Sequence, residues 1–355
     1  MESSVPRPAY AFWLMVGLVT LPANNSTAQY AQTVISGNVS DERDGSPLIN
    51  AIVFLDGTTI GTNTGPGGEF SLRSSLAGEQ TLVVSIVGYE RRMVRLHLRF
   101  GDSIYLPVSL PPRILQQKEI EVTAEDADVW RSQFDQFRGA ILGSGPSARQ
   151  CRFVNPYVVN LELHGDTLIA TSDSLVQVEN LAFGYTLQVA IRLFRWNMET
   201  DEGVWSVQVF FQECIAGSSV ERENWMKNRQ KAYAGSPRHF LWALANDRLV
   251  YEGFEMRSGR TLENSRRWRA INRSTLGLSR DSMTRMYAWI FREWVRVDDA
   301  SRTSTPSFVR LLAPSAVFDS SGVVSTERPF EFGGTWSRKR LGSMLPSDFS
   351  PGSQP

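Results

Sequence analysis

Histidine and cysteine are scarce in this 355-residue chain: His97, His164 and His239 are its imidazoles, and Cys151 and Cys214 its thiols. A zinc hydrolase needs two or three His, Glu or Asp ligands around an open position, with a general base beside them. No histidine here sits in a His-x-x-Glu or His-Glu-x-x-His arrangement, so no metal ligand is assigned and zinc peptidase chemistry is not expected. His97 falls in an alternating segment and reads as a solvated side chain on a strand. Cysteine catalysis is poorly served as well, because neither thiol shows an activating base. The two thiols either pair in an oxidising compartment, closing a long loop at a gain of about 4 kcal/mol on the chain-entropy account, or stay apart as small apolar side chains. The sequence leaves both open.

Net charge is missing too. Lys plus Arg number 37 and Asp plus Glu number 37, so no field steers the chain onto nucleic acid or anionic lipid. Signatures of nucleotide-phosphate binding are absent: Gly65 to Gly68 lacks the following helix and lysine. A Gly-x-Ser-x-Gly elbow does not occur, and the glycines of Gly143-Ser144-Gly145 suit a helix exit. No catalytic residue and no cofactor is therefore assigned. What is present is an ordinary globular composition, 42% hydrophobic and 21% charged, with 10 Trp and 19 Phe to fill cores.

Long apolar runs are confined to the N-terminus. Arg7 precedes an apolar stretch from Ala9 to Leu21, and Ser26-Thr27-Ala28 offers small residues for cleavage before Gln29. Such a run is shorter than the roughly 20 residues needed to span a bilayer. Residues 1–28 are expected to be a signal peptide, with no membrane-spanning segment after it, and the mature protein extracytoplasmic, in the periplasm or cell envelope.

From Val34 onward the chain is built of short strands. Val34–Val39, Ala51–Leu55, Thr58–Thr62, Glu69–Leu72, Leu82–Val87, Met93–Leu98 and Ile104–Leu110 alternate or run apolar, separated by glycine-rich turns such as Asp56-Gly57 and Asn63 to Gly68. Seven short strands at this spacing predict an antiparallel sandwich. The pattern Gly37-x-Val39, Gly45-x-Pro47-Leu48, Ala51-x-Val53, Gly57-Thr58, Gly61-x-x-Thr64, Gly68-x-Phe70 and Val87-Gly88-Tyr89 resembles the carboxypeptidase-regulatory-like domain family. These are prealbumin-like (transthyretin-like) sandwiches of bacterial surface and periplasmic proteins. The resemblance extends to Glu119-Ile120-Glu121-Val122-Thr123, similar to the family's exit strand. It implies a fold far more than a function.

Pro111-Pro112 and Gln116-Gln117-Lys118 mark a boundary. Trp130, Phe134, Phe137 and Ile141 then fall on one helical face, with Asp126 or Asp128 as cap and Gly143 as stop. A hairpin is expected over Val158 to Ala170, turning at His164-Gly165-Asp166, with strands over Leu187 to Trp196 and Val204 to Gln212. Glu221 to Ala232 reads as a helix, and Ser236-Pro237 starts another through Ala245. Strands are expected again over Met286 to Val297, Phe308 to Leu312 and Phe330 to Phe332. The fold class is thus mainly β with some α: a seven-stranded prealbumin-like sandwich over 31–112, a linker and exit strand over 113–124, an α+β domain over 125–342 and a surface tail over 343–355. The segments Cys151-x-Phe153-x-Asn155-Pro156, Arg229-x-x-x-Tyr233-x-Gly235-Ser236-x-x-His239-Phe240-Leu241 and Leu345-Pro346-x-x-Phe349-x-Pro351 are similar to the downstream region of bacterial envelope proteins that share the sandwich.

Two clusters stand out as possible sites. Glu162, His164 and Asp166 converge near one hairpin turn, an arrangement that suits either acid–base work or a solvent-facing polar edge. Trp225, Arg229 and Tyr233 repeat at i, i+4 and i+8, with His239 just beyond a Gly-Ser bend. Such a stripe either stacks a sugar or peptide or packs between helix and sheet, with Arg229 bonding backbone carbonyls at the bend. The expected function is that of a non-enzymatic exported envelope protein binding a protein or glycan partner. The alternatives are a hydrolase of unrecognised type in the C-terminal domain and an accessory of an outer-membrane nutrient-uptake system.

Overall fold

The computed structural model describes residues 32–113, 124–262, 268–282, 284, 286–299, 305–326 and 329–352. The expected signal peptide and the exit strand at Glu119–Thr123 lie outside the described residues.

Strands β1 (Thr33–Asp41), β2 (Ile52–Leu55), β3 (Gly61–Asn63), β4 (Glu69–Ser74), β5 (Gly78–Ser85), β6 (Arg92–Leu98) and β7 (Ser103–Leu110) form two sheets, ordered β4-β1-β7 and β3-β2-β5-β6. The seven-stranded sandwich expected from the sequence is borne out, with the correction that it is not wholly antiparallel, since β1 pairs parallel with β7. Alternate side chains of β1 are buried, as a two-residue period with one face inward demands. Ile35, Val39 and Leu72 of one sheet meet Val53, Leu82 and Leu98 of the other in a shared core. Each such side chain, fully buried, stabilises the fold by about 1.5–3 kcal/mol. Gly37 permits the parallel pairing of β1 with β7, because a Cβ there would meet the Leu106 carbonyl oxygen at 1.8 Å. The third strand is shorter than expected, since Thr58 to Ile60 forms the turn that brings it back.

Helix α1 (Ala124–Leu142) follows, with Phe134, Phe137 and Ile141 buried as their spacing predicts. Its span includes Asp128, which is therefore not the cap but pairs with Arg131 one turn on; the Asp126 side chain lies outside what is described. Gly143, at φ +82°, ends the helix in the left-handed conformation that favours glycine. Under α1 lies a six-stranded sheet of β8 (Cys151–Phe153), β9 (Val159–His164), β10 (Thr167–Ser172), β11 (Val176–Asn180), β12 (Tyr185–Asn197) and β13 (Glu202–Glu213). The long β12 pairs with β13 along one edge; β11 and β10 share the other.

Next come α2 (Ser219–Tyr233) and α3 (Pro237–Ala245). The strands after them are β14 (Phe254–Gly259), β15 (Arg269–Ile271), β16 (Ser279–Arg280), β17 (Tyr287–Trp289), β18 (Trp294–Asp299), β19 (Ser307–Leu311), β20 (Ala316–Phe318) and β21 (Phe330–Gly334). They form a five-stranded sheet, β15-β14-β18-β19-β21, and a small sheet, β16-β17-β20. Phe240 and Leu244 of α3 pack with Trp289, Val295, Phe318 and Trp336. Side chains beyond residue 124 thus gather mainly in two clusters, one beneath α1 and one beneath α3.

The sandwich is joined to the six-stranded sheet through its β2–β3 turn. Gly57 N–H donates to the Val209 carbonyl at 2.7 Å, and Phe211 N–H donates to that of Thr58 at 2.9 Å. The Asp56 carboxylate accepts from Val209 N–H at 2.8 Å, and Phe54 stacks on Phe210 with centroids 5.4 Å apart. The expected surface tail needs correction. Phe349 is only 7% exposed, Ser347 N–H donates to Gly57 O at 2.7 Å, and Arg238 donates to the carbonyls of Pro346 and Phe349 at 2.9 and 2.7 Å. Residues 345–350 are a strap that ties α3 to the sandwich turn.

Candidate functional site

Helix α2 begins at Ser218, whose hydroxyl accepts from Glu221 N–H at 3.2 Å, while the Glu221 carboxylate accepts from Gly217 N–H at 2.7 Å. One face of the helix then docks on the turn between β11 and β12 through four consecutive carbonyls. Trp225 Nε1 donates to Leu181 O at 3.0 Å and Asn228 Nδ2 to Ala182 O at 2.9 Å. Arg229 donates to Phe183 O at 2.8 Å through Nε and to Gly184 O at 3.4 Å through Nη2. The guanidinium is buried, ion-pairs with Glu213 at 2.9 Å and lies 3.9 Å from the Tyr185 ring centroid. Arg229 therefore binds backbone carbonyls, as one of the two sequence readings held, but those of a distant turn rather than of the bend beside it.

Beside this docked helix lies a groove of about 570 Å³. Arg222, Trp225 and Arg229 line it from α2, Tyr185 and Glu213 from the sheet, and Asp348 from the strap. Trp225 is half-buried, its ring resting on Gly184, where a Cβ would come within 2.2 Å of the indole. Glu213 keeps 59% of its side chain exposed although Arg229 holds one of its oxygens. Asp348 is fixed by the Thr59 backbone N–H, at 3.0 and 3.2 Å from its two oxygens, and by the Thr59 hydroxyl. Burial pushes the Tyr185 phenol far above its ordinary value, so it stays neutral. The groove offers an aromatic ring, an exposed guanidinium at Arg222 and two positioned carboxylates.

Tyr233 and His239 do not belong to this groove. Both are buried: Tyr233 packs against His239, with centroids 5.2 Å apart, and against Phe349 at 6.2 Å. His239 accepts from Gly235 N–H through Nδ1 at 3.1 Å and faces Glu252 through Nε2 at 3.2 Å, stacked on Trp242. Its own N–H is received by the Ser236 hydroxyl at 3.1 Å, the expected cap of α3. The four-residue stripe thus divides in two: Trp225 and Arg229 line the groove, while Tyr233 and His239 fill a core.

The second cluster is laid out along a solvent-facing hairpin. His164 and Glu162 meet at 3.2 Å with 64% and 72% of their side chains exposed, and Asp166 is also exposed. Cys151 and Cys214 stand as free thiols in this structure. The Cys151 thiol donates to Ser147 O at 3.5 Å and burial pushes its pKa up to about 12, whereas half-buried Cys214 contacts the Thr186 hydroxyl at 3.5 Å. Among the described residues no group of three or more His, Cys, Asp or Glu is placed to hold a metal ion. Nor, among them, is any helix long and apolar enough to cross a membrane. Sequence reasoning missed Tyr185, Glu213, Gly184 and Asp348. Only for Asp348 was there a signal, since it sits inside the quoted Leu345-Pro346-x-x-Phe349-x-Pro351 pattern.

Nothing among curated proteins matches the chain. Solved structures give low-scoring likenesses. One is a type II cohesin–X-dockerin complex from Acetivibrio cellulolyticus, 22% identical over 21% of this chain and 52% of that one, with a TM-score of 0.19. This chain thus spans about half of that relative's length. A DUF3823 family protein from Bacteroides ovatus is 10% identical over 52% of this chain and 83% of that one, TM-score 0.19. A putative carbohydrate binding protein from Bacteroides uniformis is 9% identical over 81% and 99%, TM-score 0.20. At such scores these likenesses place no ligand or partner on this chain. The family comparison is specific: the profile described as CarboxypepD_reg-like domain matches residues 35–122, from within β1 through β7. The N-terminal sandwich of this chain is a CarboxypepD_reg-like domain.

Proposed function

We propose that this chain is a non-catalytic, exported binding protein of the cell envelope, and that the groove beside α2 takes a carbohydrate. The observation that carries the reading is the grouping of Trp225 with Arg222, Glu213 and Asp348 around one open groove of about 570 Å³. A pyranose has an apolar face that stacks on indole and a rim of hydroxyls that donate to carboxylates and accept from guanidinium. Fixed acceptors lower the ordering cost of binding, and Glu213 and Asp348 are held by Arg229 and Thr59 before any ligand arrives. Export is supported by the apolar N-terminal run ending in small residues.

A glycan-array screen of the mature protein, followed by calorimetry on the hits, tests the reading. Replacing Trp225 by Ala is expected to weaken the best glycan at least tenfold, or about 1.4 kcal/mol. Arg222→Ala, at an exposed position, is expected to weaken it several-fold with no change in melting temperature. A glycan ligand indifferent to both substitutions, or an array without any hit, would sink the proposal.

A further inference from the structure

A second cavity, of about 500 Å³, opens beside the C-terminal end of α2. Its walls are largely apolar, made by Leu142, Pro146, Ala148, Ala182, Phe183 and Ala232. Three cations line it as well, Lys231, Arg338 and Lys339, and no aspartate or glutamate does. That imbalance is notable in a chain with equal numbers of acidic and basic residues. It is sharper for lysine: the sequence holds four, Lys118, Lys227, Lys231 and Lys339, and two of them are here. Among the described residues no carboxylate comes within ion-pair distance of Lys231, Arg338 or Lys339.

Lys339 is the inner member of the three. Its ammonium donates to Ala232 O at 3.0 Å, close to where α2 ends, and burial lowers its pKa to about 8, opposed by the charge of Asp299, which lines a neighbouring cavity with Lys231 and Lys339. A cation at a helix C-terminus has a structural use of its own. That use explains neither Lys231, which is exposed, nor Arg338, nor the apolar chamber they share. Ligand pockets of this size are typically apolar with a few polar groups that fix orientation.

We infer that this cavity binds a small amphipathic anion: a carboxylate on a short hydrocarbon or aryl body, its head at Lys231, Lys339 and Arg338 and its body against Phe183, Ala182 and Leu142. The site is separate from the carbohydrate groove, which is lined by Arg222, Trp225 and Arg229 of the same helix.

Calorimetric titration of the full chain at pH 7 tests this, with octanoate, 1-octanol, octylammonium, acetate and inorganic phosphate as probes. Octanoate is expected to bind at least tenfold more tightly than octanol, which lacks the charge, and than acetate, which lacks the body. Octylammonium and phosphate are expected to give no saturable heat. Lys231→Met and Lys339→Met should each weaken octanoate about tenfold, while Arg222→Ala, at an exposed position outside this cavity, leaves it unchanged. Should Lys339→Met fail to fold, Lys231→Met decides, because its side chain is exposed. Octanol binding as tightly as octanoate, phosphate displacing it, or unaltered affinity in Lys231→Met would each overturn the inference.

Discussion

Asp56 stands at the joint between the sandwich and the six-stranded sheet, and its carboxylate accepts a hydrogen bond from the Val209 backbone. Burial raises its pKa to about 6, against the opposing pull of that bond and of Arg192. A carboxyl with a raised folded-state pKa contributes stability that is complete below its unfolded value near 3.8 and is lost as pH rises through about 6. Two pKa units correspond to about 3 kcal/mol, which partial exposure trims to about 2 kcal/mol. Asp56→Asn keeps the acceptor oxygen and removes the charge. In urea melts the variant is expected to gain about 2 kcal/mol over the parent at pH 7.5 and much less at pH 4.5; an equal gap at the two pH values would contradict this. Gly184 invites a simpler test. Its φ is +64° and the Trp225 ring occupies the space of a side chain. Gly184→Ala is expected to cost about 1–3 kcal/mol, from backbone strain plus displacement of the indole. The loss would register as a lower melting temperature together with weakened glycan binding.

At the scale of elements, what the sequence disclosed was local. Strands β1, β4 and β6 follow from two-residue alternation, and glycines at positive φ, Gly57 and Gly68 among them, mark turns that any reader of the chain would place. The periodicity of Phe134, Phe137 and Ile141 likewise announced α1. Helix α2 was legible as a helix and its striped face as a contact surface. Its partner was not, because the carbonyls of Leu181 to Gly184 lie some 45 positions earlier and backbone oxygens carry no sequence signal. The strap was misread for a related reason. Proline and serine after Ser343 speak of irregular backbone, whereas the burial of Phe349 is decided by Tyr233 and Arg238 a hundred residues away. The same limit applied to the groove: Trp225 and Arg229 could be nominated from spacing, but Tyr185, Glu213 and Asp348 join them only through tertiary structure.

At the scale of the whole molecule, three large hydrophobic clusters of the described residues are held in register by a smaller apolar joint, Phe54 and Val83 against Leu175, Ala190 and Phe210, and by polar clamps that include the strap. Asp348 is therefore expected to matter for stability as well as for the groove. Asp348→Ala leaves the Thr59 N–H and hydroxyl without their acceptor, a loss of about 1–3 kcal/mol. Limited proteolysis should then release the C-terminal strap before either large sheet is cut. Strap cleavage no faster than in the parent protein would argue against the clamp.

The clamp spans 289 positions between Thr59 and Asp348. A contact of such sequence separation pays its loop-closure entropy late, so it cannot help to nucleate folding and can only seal it. The CarboxypepD_reg-like domain, complete by residue 122, has its local contacts in hand long before the residues that lock it to its neighbours leave the ribosome. A polypeptide interrupted between Glu213 and Pro346 would carry an assembled sandwich, bonded to its neighbouring sheet at Gly57, whose Thr59 amide and hydroxyl lack their acceptor.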